Sequence, residues 1–548
     1  MSVARIENDR TRWVAPLEDK SLLFAPPVSQ AADLLAYNRE LLQNSPAHSG
    51  YDFQGRTFDQ IVRSTREELL QGAVAYTSSY RDVSFITGTD FSTAPVILGG
   101  HQPDLFHPGV WAKNSAISRC AQESGGVGLQ LLIDGDVPKS FGVRIPTGTP
   151  EHPYVEHVQL DQHPRQLPYE QWTVGNESLF KTFGERAART VAPFVPEPFV
   201  QSYWPKVLAR LGEVSQVGLA LAQARHQVEG EWGLSTLELP QSQFSRSESF
   251  RWFTAHMLAH LPRLQEVYNG VLTEYRLRNH LRSQAQPVPN LRADDSGLEA
   301  PFWIWSESDS QRRPLFCRHR GDTLLLTDNK TLEWVLEATP EGDLDTAIEQ
   351  LAAAEEAGVH IRSRALLTTM FARLFCGDLF VHGIGGGHYD QLTDEIITRF
   401  FGFPPPRYMV VSGTLRLPVR QSGASPDDLR VIDRQLRDVR FNPDRLLAQN
   451  QTSEGRSDFQ RWIDEKRNWI ETPLTLENGS KRHQAIERCN RALQPFVEAA
   501  AASLRTKRRV IAEKVAASRV LTDRDYAFCL FPEPLLREFV LDRVARAM

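Results

Sequence analysis

The segment from Ala94 to Asp136 restricts the fold more than any other. APVILGG is a short apolar run that ends on Gly99 and Gly100, the pattern of a strand buried on both faces of a parallel sheet. After the loop HQPDLFHPG, the run VWAKNSAISRCAQES sets Val110, Ala112, Ile117 and Cys120 at helical spacing. GVGLQLLIDGD then reads as a second buried strand, closing on Asp134 and Asp136. Strand, loop, helix and strand in this order predict a βαβ crossover. Such a crossover makes a parallel sheet, whose ligand crevice lies outside the carboxyl ends of its strands.

A second unit of the same kind follows much later. RALLTTMFARLFC has helical spacing, GDLFVHGI reads as a strand, GGGHYD as its loop, and a helix is expected from Asp390 to Phe401. Tyr408–Val411 is a further buried strand. The predicted fold class is therefore α/β, with a Rossmann-like parallel-sheet core over 95–445 that carries helical and β insertions between about 145 and 375. Residues 1–94 read as a helical N-terminal region. Phe250 to Leu272 keep a helical stripe, 301–328 read as short antiparallel strands, and 145–240 show no clear period.

Beyond Pro443 the composition shifts to Arg, Gln, Glu, Lys and Ala. Phe459, Trp462, Ile463, Trp469 and Ile470 form one stripe; Ile486, Cys489, Leu493, Val497, Ala500, Leu504, Ile511 and Val515 form another, interrupted by Pro495. The expectation is an antiparallel coiled coil over 446–525, a seam covered by a second copy in a homodimer, and a tail at 526–548 packed on the core.

Composition narrows the partners. The 548 residues, 41% hydrophobic and 24% charged, suffice for two to four domains with a sizeable core. A formal charge of -6, from 62 Lys+Arg against 68 Asp+Glu, lacks the positive excess that phosphate-backbone binding draws on, so nucleic acid is not an expected partner. Five scattered cysteines without a CxxC pair fit a reducing cytoplasm. No apolar run of membrane-spanning length and no signal-peptide core is present, so no membrane partner is expected.

Several clusters could carry chemistry. His101 and His107, in the strand-to-helix loop with Gly100 and Gln102, suit contacts to phosphate oxygens in nucleotidyl transfer; the alternative is a turn whose histidines cap the next helix. Asp134 and Asp136 close a strand where carboxylates hold a metal ion, a ribose or an amine, or else supply the cap of a DG turn. Gly383, Gly385, Gly386 and Gly387, followed by His388 and Tyr389, would offer unhindered amides to an anion. No GxGxxG, P-loop, Gly-x-Ser-x-Gly elbow or metal-ligand set appears. His256 and His260 stand four apart on a helix but lack the glutamate of HExxH, so packing is expected of them.

The succession GGHQPDLFHPGVWAKNSAIS, LLIDGD and VHGIGGGHYDQLTDEIITRFFGFPPPRYMVVSGTL resembles the bacillithiol-biosynthesis cysteine-adding enzymes over most of residues 90–520. Gly100, Gln102, Leu105 and Phe106 match that family's first loop, Asp134 and Asp136 two acids of its second motif, Gly385 and Gly386 its late glycine pair, and Ser412, Thr414 and Leu415 its last stretch. Lys113 lies near a family lysine. His101, His107, Pro108, Ile133, Gly135 and Gly387 depart from the pattern.

The resemblance implies a Rossmann-like core, a dimerising coiled coil, and condensation of L-cysteine onto the amine of glucosaminyl-malate, with ATP or ADP able to bind. For this chain the expectation is a ligase or transferase joining a small amine to a carboxyl compound. In it His101 and His107 handle phosphate or protons, Asp134 and Asp136 hold an amine or metal, and Gly385, Gly386, Gly387, His388, Tyr389 and Ser412 contact substrate. The alternatives are a non-catalytic ligand-binding or scaffold homologue and a nucleotidyltransferase. The sharpest structural expectation is that His101, Asp134, Gly386 and His388 line one crevice.

Overall fold

In the computed structural model APVILGG forms the strand Val96–His101, at the centre of a six-stranded sheet. The structure describes residues 12–44, 51–163, 166–283, 285–295, 297–419, 423–449 and 456–547. The opening residues 1–11, read above against a signal peptide, and 450–455 of the coiled-coil segment lie outside them. Across the sheet the order is Ser21–Ala25, Tyr408–Thr414, Leu379–His382, Val96–His101, Val127–Leu132, Thr236–Pro240. The last five run parallel and Ser21–Ala25 is antiparallel at the edge. The protein is thus of mixed α/β class with a mixed sheet. The three strands on which the sequence argument rests, at Val96, Val127 and Leu379, lie side by side.

The chain runs from Val96–His101 outward through Val127–Leu132 to Thr236–Pro240, then returns to the other side of its starting strand with Leu379–His382 and Tyr408–Thr414. The direction of winding therefore reverses between Leu379–His382 and Val96–His101, the position at which open α/β sheets bind their ligands.

Alternation along the central strand serves two layers. Val96 and Leu98 point into the main apolar cluster with Phe58, Leu69, Trp252, Phe371 and Phe375. Gly99 faces the other way, against the helix Pro108–Glu123. A Cβ at Gly99 would stand 2.7 Å from Ile117 Cδ1 and 2.9 Å from the Val381 carbonyl, so glycine is what lets that helix lie so close. The helix is buried along most of its length, Trp111, Ala112, Lys113 and Ile117 included.

Four sequence expectations change. The N-terminal region is not only helical, since Ser21–Ala25 supplies the sheet edge. The segment 145–240 resolves into the helices Glu177–Val191, Val200–Leu211 and Val217–Glu231 and the last sheet strand. The helical stripe at 250–272 is two helices, Glu248–Ala259 and Leu261–Arg278, broken at His260, with Pro262 in the first turn of the second. The glycine run is no loop: the helix Ile384–Phe401 begins ahead of it, with Gly385, Gly386 and Gly387 in its first turn. A second sheet, antiparallel as expected, has the order Glu333–Glu337, Thr323–Thr327, Arg313–Arg320, Gly297–Ser306, Val359–Ser363.

Two compact units divide the chain: Met1–Ile145, His157–Arg416 and Arg524–Met548 form one, Pro146–Glu156 and Leu417–Asp523 the other. The division falls at 417 rather than 446. In the second unit one 43-residue helix, Gly479–Leu521, runs unbroken through Pro495, and Pro426–Phe441, Pro443–Gln449 and Arg456–Glu471 pack along it. Cys489, Leu493, Val497 and Val515 of the predicted stripe are buried within this unit. Helices of the same chain pack along that seam, and Ile486, Ala500, Leu504 and Ile511 of the stripe are half-buried. In the first unit the C-terminal segment is tied to the core: Phe528 N–H donates to Phe106 O at 2.8 Å, and Phe528 to Phe531 are fully buried. Among the described residues no helix is long and apolar enough to cross a membrane.

Candidate functional site

Pairing of Phe380 with Leu98 brings His382, the last residue of its strand, level with Gly100 at the point where the winding reverses. Lys113, from the helix behind, reaches the same place: its Nζ donates to Gly100 O at 2.7 Å, and the side chain is 1% exposed. Burial, and then the charge of Arg225, draws the lysine pKa down to about 7. Burial, and next Lys113, holds His101 at about 3, so its imidazole is neutral. The ring pairs through Nδ1 with the Gln102 carbonyl at 2.9 Å and meets Phe106 edge-on at 5.0 Å.

His382 pairs through Nε2 with Asp390 Oδ2 at 2.6 Å. Arg373 Nη1 donates to that same oxygen at 2.7 Å, while Thr369 Oγ1 donates to Oδ1 at 2.7 Å. Arg373 also pairs with Asp394 and lies 4.8 Å from the Tyr408 ring, whose hydroxyl donates to Gly387 O at 3.0 Å. The glycines serve this packing. A Cβ at Gly386 would stand 2.7 Å from His382 Nδ1, and one at Gly387 2.5 Å from Val410 Cγ2. Only Gly383 and Gly385 have open space where a side chain would go.

The other expected residues are taken up elsewhere. His107 caps the following helix, accepting from Gly109 N–H at 3.1 Å, and its ring lies 3.4 Å from Arg524 Nη2, which also donates to Ser412 Oγ at 3.2 Å. Asp134 is fully buried, and both its oxygens accept from Ser242, one from the backbone N–H and one from the hydroxyl. It locks the strand end to the short helix Gln241–Phe244 that follows Thr236–Pro240, which is the capping alternative. Burial, then Glu170, raises it to about 7. Asp136 accepts from Gln102 Nε2 at 2.9 Å and Arg312 Nη1 at 2.8 Å.

His388 stacks on Trp13 at 5.4 Å with Nε2 buried and unpartnered, and Tyr389 is exposed. Of the four residues expected to converge, Asp134 is bonded to Ser242 and His388 stacks on Trp13, while at the reversal Gly386 abuts His382 and Lys113 reaches Gly100 O beside His101. Sequence reasoning read Asp390 only as a helix start and missed His382 and Arg373, 8 and 17 residues before it, and Arg524, which comes from the far end of the chain.

Two surface pockets, of about 450 and 480 Å³, lie away from these strand ends; the first is lined by Arg276, His280 and Arg282, the second by Tyr80, Arg81 and Phe85. His256 bonds to Tyr51 Oη at 2.9 Å and Gln54 Oε1 at 2.6 Å, a packing role. Among the described residues no group of three or more His, Cys, Asp or Glu side chains is arranged to hold a metal ion. No protein-family model matches the chain, and no curated protein matches it in sequence.

Proposed function

We propose that the protein is a cytoplasmic carbon–nitrogen ligase or transferase that joins a small amino-sugar-like amine to a cysteine-like carboxyl compound, in a crevice at the strand ends of a Rossmann-like core. The observation that carries this reading is the buried Lys113 amine, which donates to Gly100 O at the winding reversal and whose charge acts on both His101 and His382. Joining a carboxylate to an ammonium group releases water overall and needs two things from a protein: removal of a proton from the amine and dipoles that face the acyl oxygen. His101 and His382, both biased to the neutral form, are proton acceptors. Lys113, poised near neutrality, supplies a positive dipole or a charge. Asp136, bridged by Gln102 and Arg312, offers a half-exposed carboxylate for an amine.

ATP or ADP fits through its phosphates. Gly383 and Gly385 leave backbone uncovered at a helix N-terminus, and Arg524 presents a guanidinium beside Ser412. When bound, ATP supplies the phosphate leaving group that makes a carboxyl transferable.

The test is thermal-shift screening with ATP, ADP, L-cysteine and amino sugars, followed by mass spectrometry of the mixture. Ligands should raise the melting temperature by mass action, and a condensed product should appear only with ATP. His101→Ala should abolish the ligand shift while leaving the unliganded melting temperature unchanged. Binding without product would make the chain a ligand-binding homologue; nucleotidyl transfer without amide formation would make it a nucleotidyltransferase. A homodimer through the helical unit belongs to the same proposal, now resting on the exposed Val431, Phe441, Ile470, Phe496 and Val510 rather than on the covered seam. Light scattering that finds 62.0 kDa at every concentration removes it.

A further inference from the structure

His382 is held as an oriented base is held. Asp390 accepts at Nε2, which fixes that nitrogen as the one carrying hydrogen and leaves the lone pair on Nδ1. Asp390 in turn has Thr369 on one oxygen and Arg373 on the other, so it cannot swing away. Burial works against its charge, but Arg373 and His382 overcome it and hold the carboxyl well below the usual carboxylate range.

Nδ1 makes no hydrogen bond among the described residues. A Cβ at position 386 would come within 2.7 Å of it, and Gly386 carries none. Any other residue at 386 would cover the lone pair. Around the ring stand Phe380 at 4.2 Å and Tyr408 at 5.0 Å, with Arg373, Asp390 and Lys113 as the charges that act on it. Burial first, then Arg373 and Lys113, favours the neutral ring, while Asp390 favours the imidazolium that forms once a proton arrives.

We propose that His382, held by Asp390 and through it by Thr369 and Arg373, accepts at Nδ1 the proton that the substrate's ammonium group gives up. This rests on the reading of the crevice as a site of amide formation. In the step one N–H bond breaks, its electron pair stays on the substrate nitrogen and makes it nucleophilic, and the proton binds the Nδ1 lone pair, giving amine and imidazolium. Asp390 and Arg373 are positioning residues.

A histidine that merely ties the strand to the helix would be replaced by glutamine without loss, since the glutamine amide can donate to Asp390 as well. The experiment therefore has two arms on the full chain. With histidine selectively labelled with nitrogen-15, long-range proton–nitrogen correlations should show the ring absent from His382→Gln as a neutral Nε2–H tautomer at pH 7. An Nδ1–H tautomer, or an imidazolium at that pH, overturns the proposal.

In the second arm, product formation from ATP, L-cysteine and an amino sugar should fall about 10²- to 10⁴-fold in kcat for His382→Gln, with the KM for ATP unmoved. Asp390→Asn should also lose kcat and alter the pH profile. Unchanged turnover in His382→Gln overturns the proposal. Absence of product from the unaltered chain refutes the ligase reading instead, and the tautomer then decides the role of His382 alone.

Discussion

Arg225→Met should destabilise the protein in a way that grows with pH. The Arg225 side chain is 5% exposed and sits between Glu229 and Glu238, both fully buried: Nη1 donates to Glu229 Oε1 at 2.5 Å and Nη2 to Glu238. Glu229 has one further donor, Asn114 Nδ2 at 2.9 Å, and Glu238 has the Tyr80 hydroxyl at 3.1 Å. Even beside Arg225, burial lifts Glu238 from 4.5 to about 7. A carboxyl whose pKa rises on folding adds stability at low pH, and that stability is withdrawn as pH climbs from 4.5 to 7. Above 7 the ionised Glu238 is matched by the guanidinium, and this group adds no further slope.

Without the guanidinium, Glu238 stays protonated above pH 7, and the slope continues at about 1.4 kcal/mol per pH unit. Loss of one partner from a buried pair costs about 3–5 kcal/mol. The gap between variant and parent should thus be about 3 kcal/mol or more at pH 7 and wider by about 1.4 kcal/mol at pH 8. Urea unfolding followed by tryptophan fluorescence at pH 6, 7 and 8 measures it. A gap under about 1 kcal/mol, or one that narrows as pH rises, would refute the reasoning. Adding Glu229→Gln and Glu238→Gln to Arg225→Met should recover most of the loss, since no unmatched charge then remains.

Asp134→Asn should remove a second pH slope: the carboxyl raised from 3.8 to about 7 stabilises at low pH and loses that contribution as pH rises toward 7. The variant should match or exceed its parent by about 1–3 kcal/mol at pH 8 in the same unfolding assay. Gly385→Ala, into open space on a helix, should hold or raise the melting temperature, whereas Gly387→Ala, which would press on Val410, should lower it, by about 1–3 kcal/mol of stability.

The inner strands were legible because a strand covered on both faces shows as an unbroken apolar run, as in Val96–Leu98, Leu379–Val381 and Tyr408–Val411. The strands that escaped notice break this pattern for physical reasons. Thr236–Pro240 carries Glu238, a charge that breaks the apolar run and is met by Arg225 on the preceding helix Val217–Glu231. Ser21–Ala25 is a half-buried edge strand of five residues ahead of Pro26 and Pro27, too short and too mixed to show a period. In the helical unit both apolar stripes were legible and Arg456–Glu471 packs along the long helix, but the further cover from Pro426–Phe441 was not, because it meets the stripe from more than forty residues upstream.

The glycine run shows how one boundary changes the chemistry assigned to a segment. With a helix start at Asp390, Gly385 to Gly387 are loop, and His388 and Tyr389 become the residues poised at its end. With the start at Ile384, Gly386 and Asp390 stand four apart on one helical face, and both turn toward the end of the preceding strand. That face meets His382, one position giving it room and the other a carboxylate. His388 and Tyr389 are rotated away, toward Trp13 and solvent. Three consecutive glycines argue against a helix on propensity, at roughly 1 kcal/mol each. The close approach of Val410 and His382 outweighs it, because each larger residue at 386 or 387 would force the helix off the sheet. A glycine-rich turn after a buried strand that ends in histidine, with aspartate eight residues on, is thus a pattern for an oriented imidazole as much as for an anion loop.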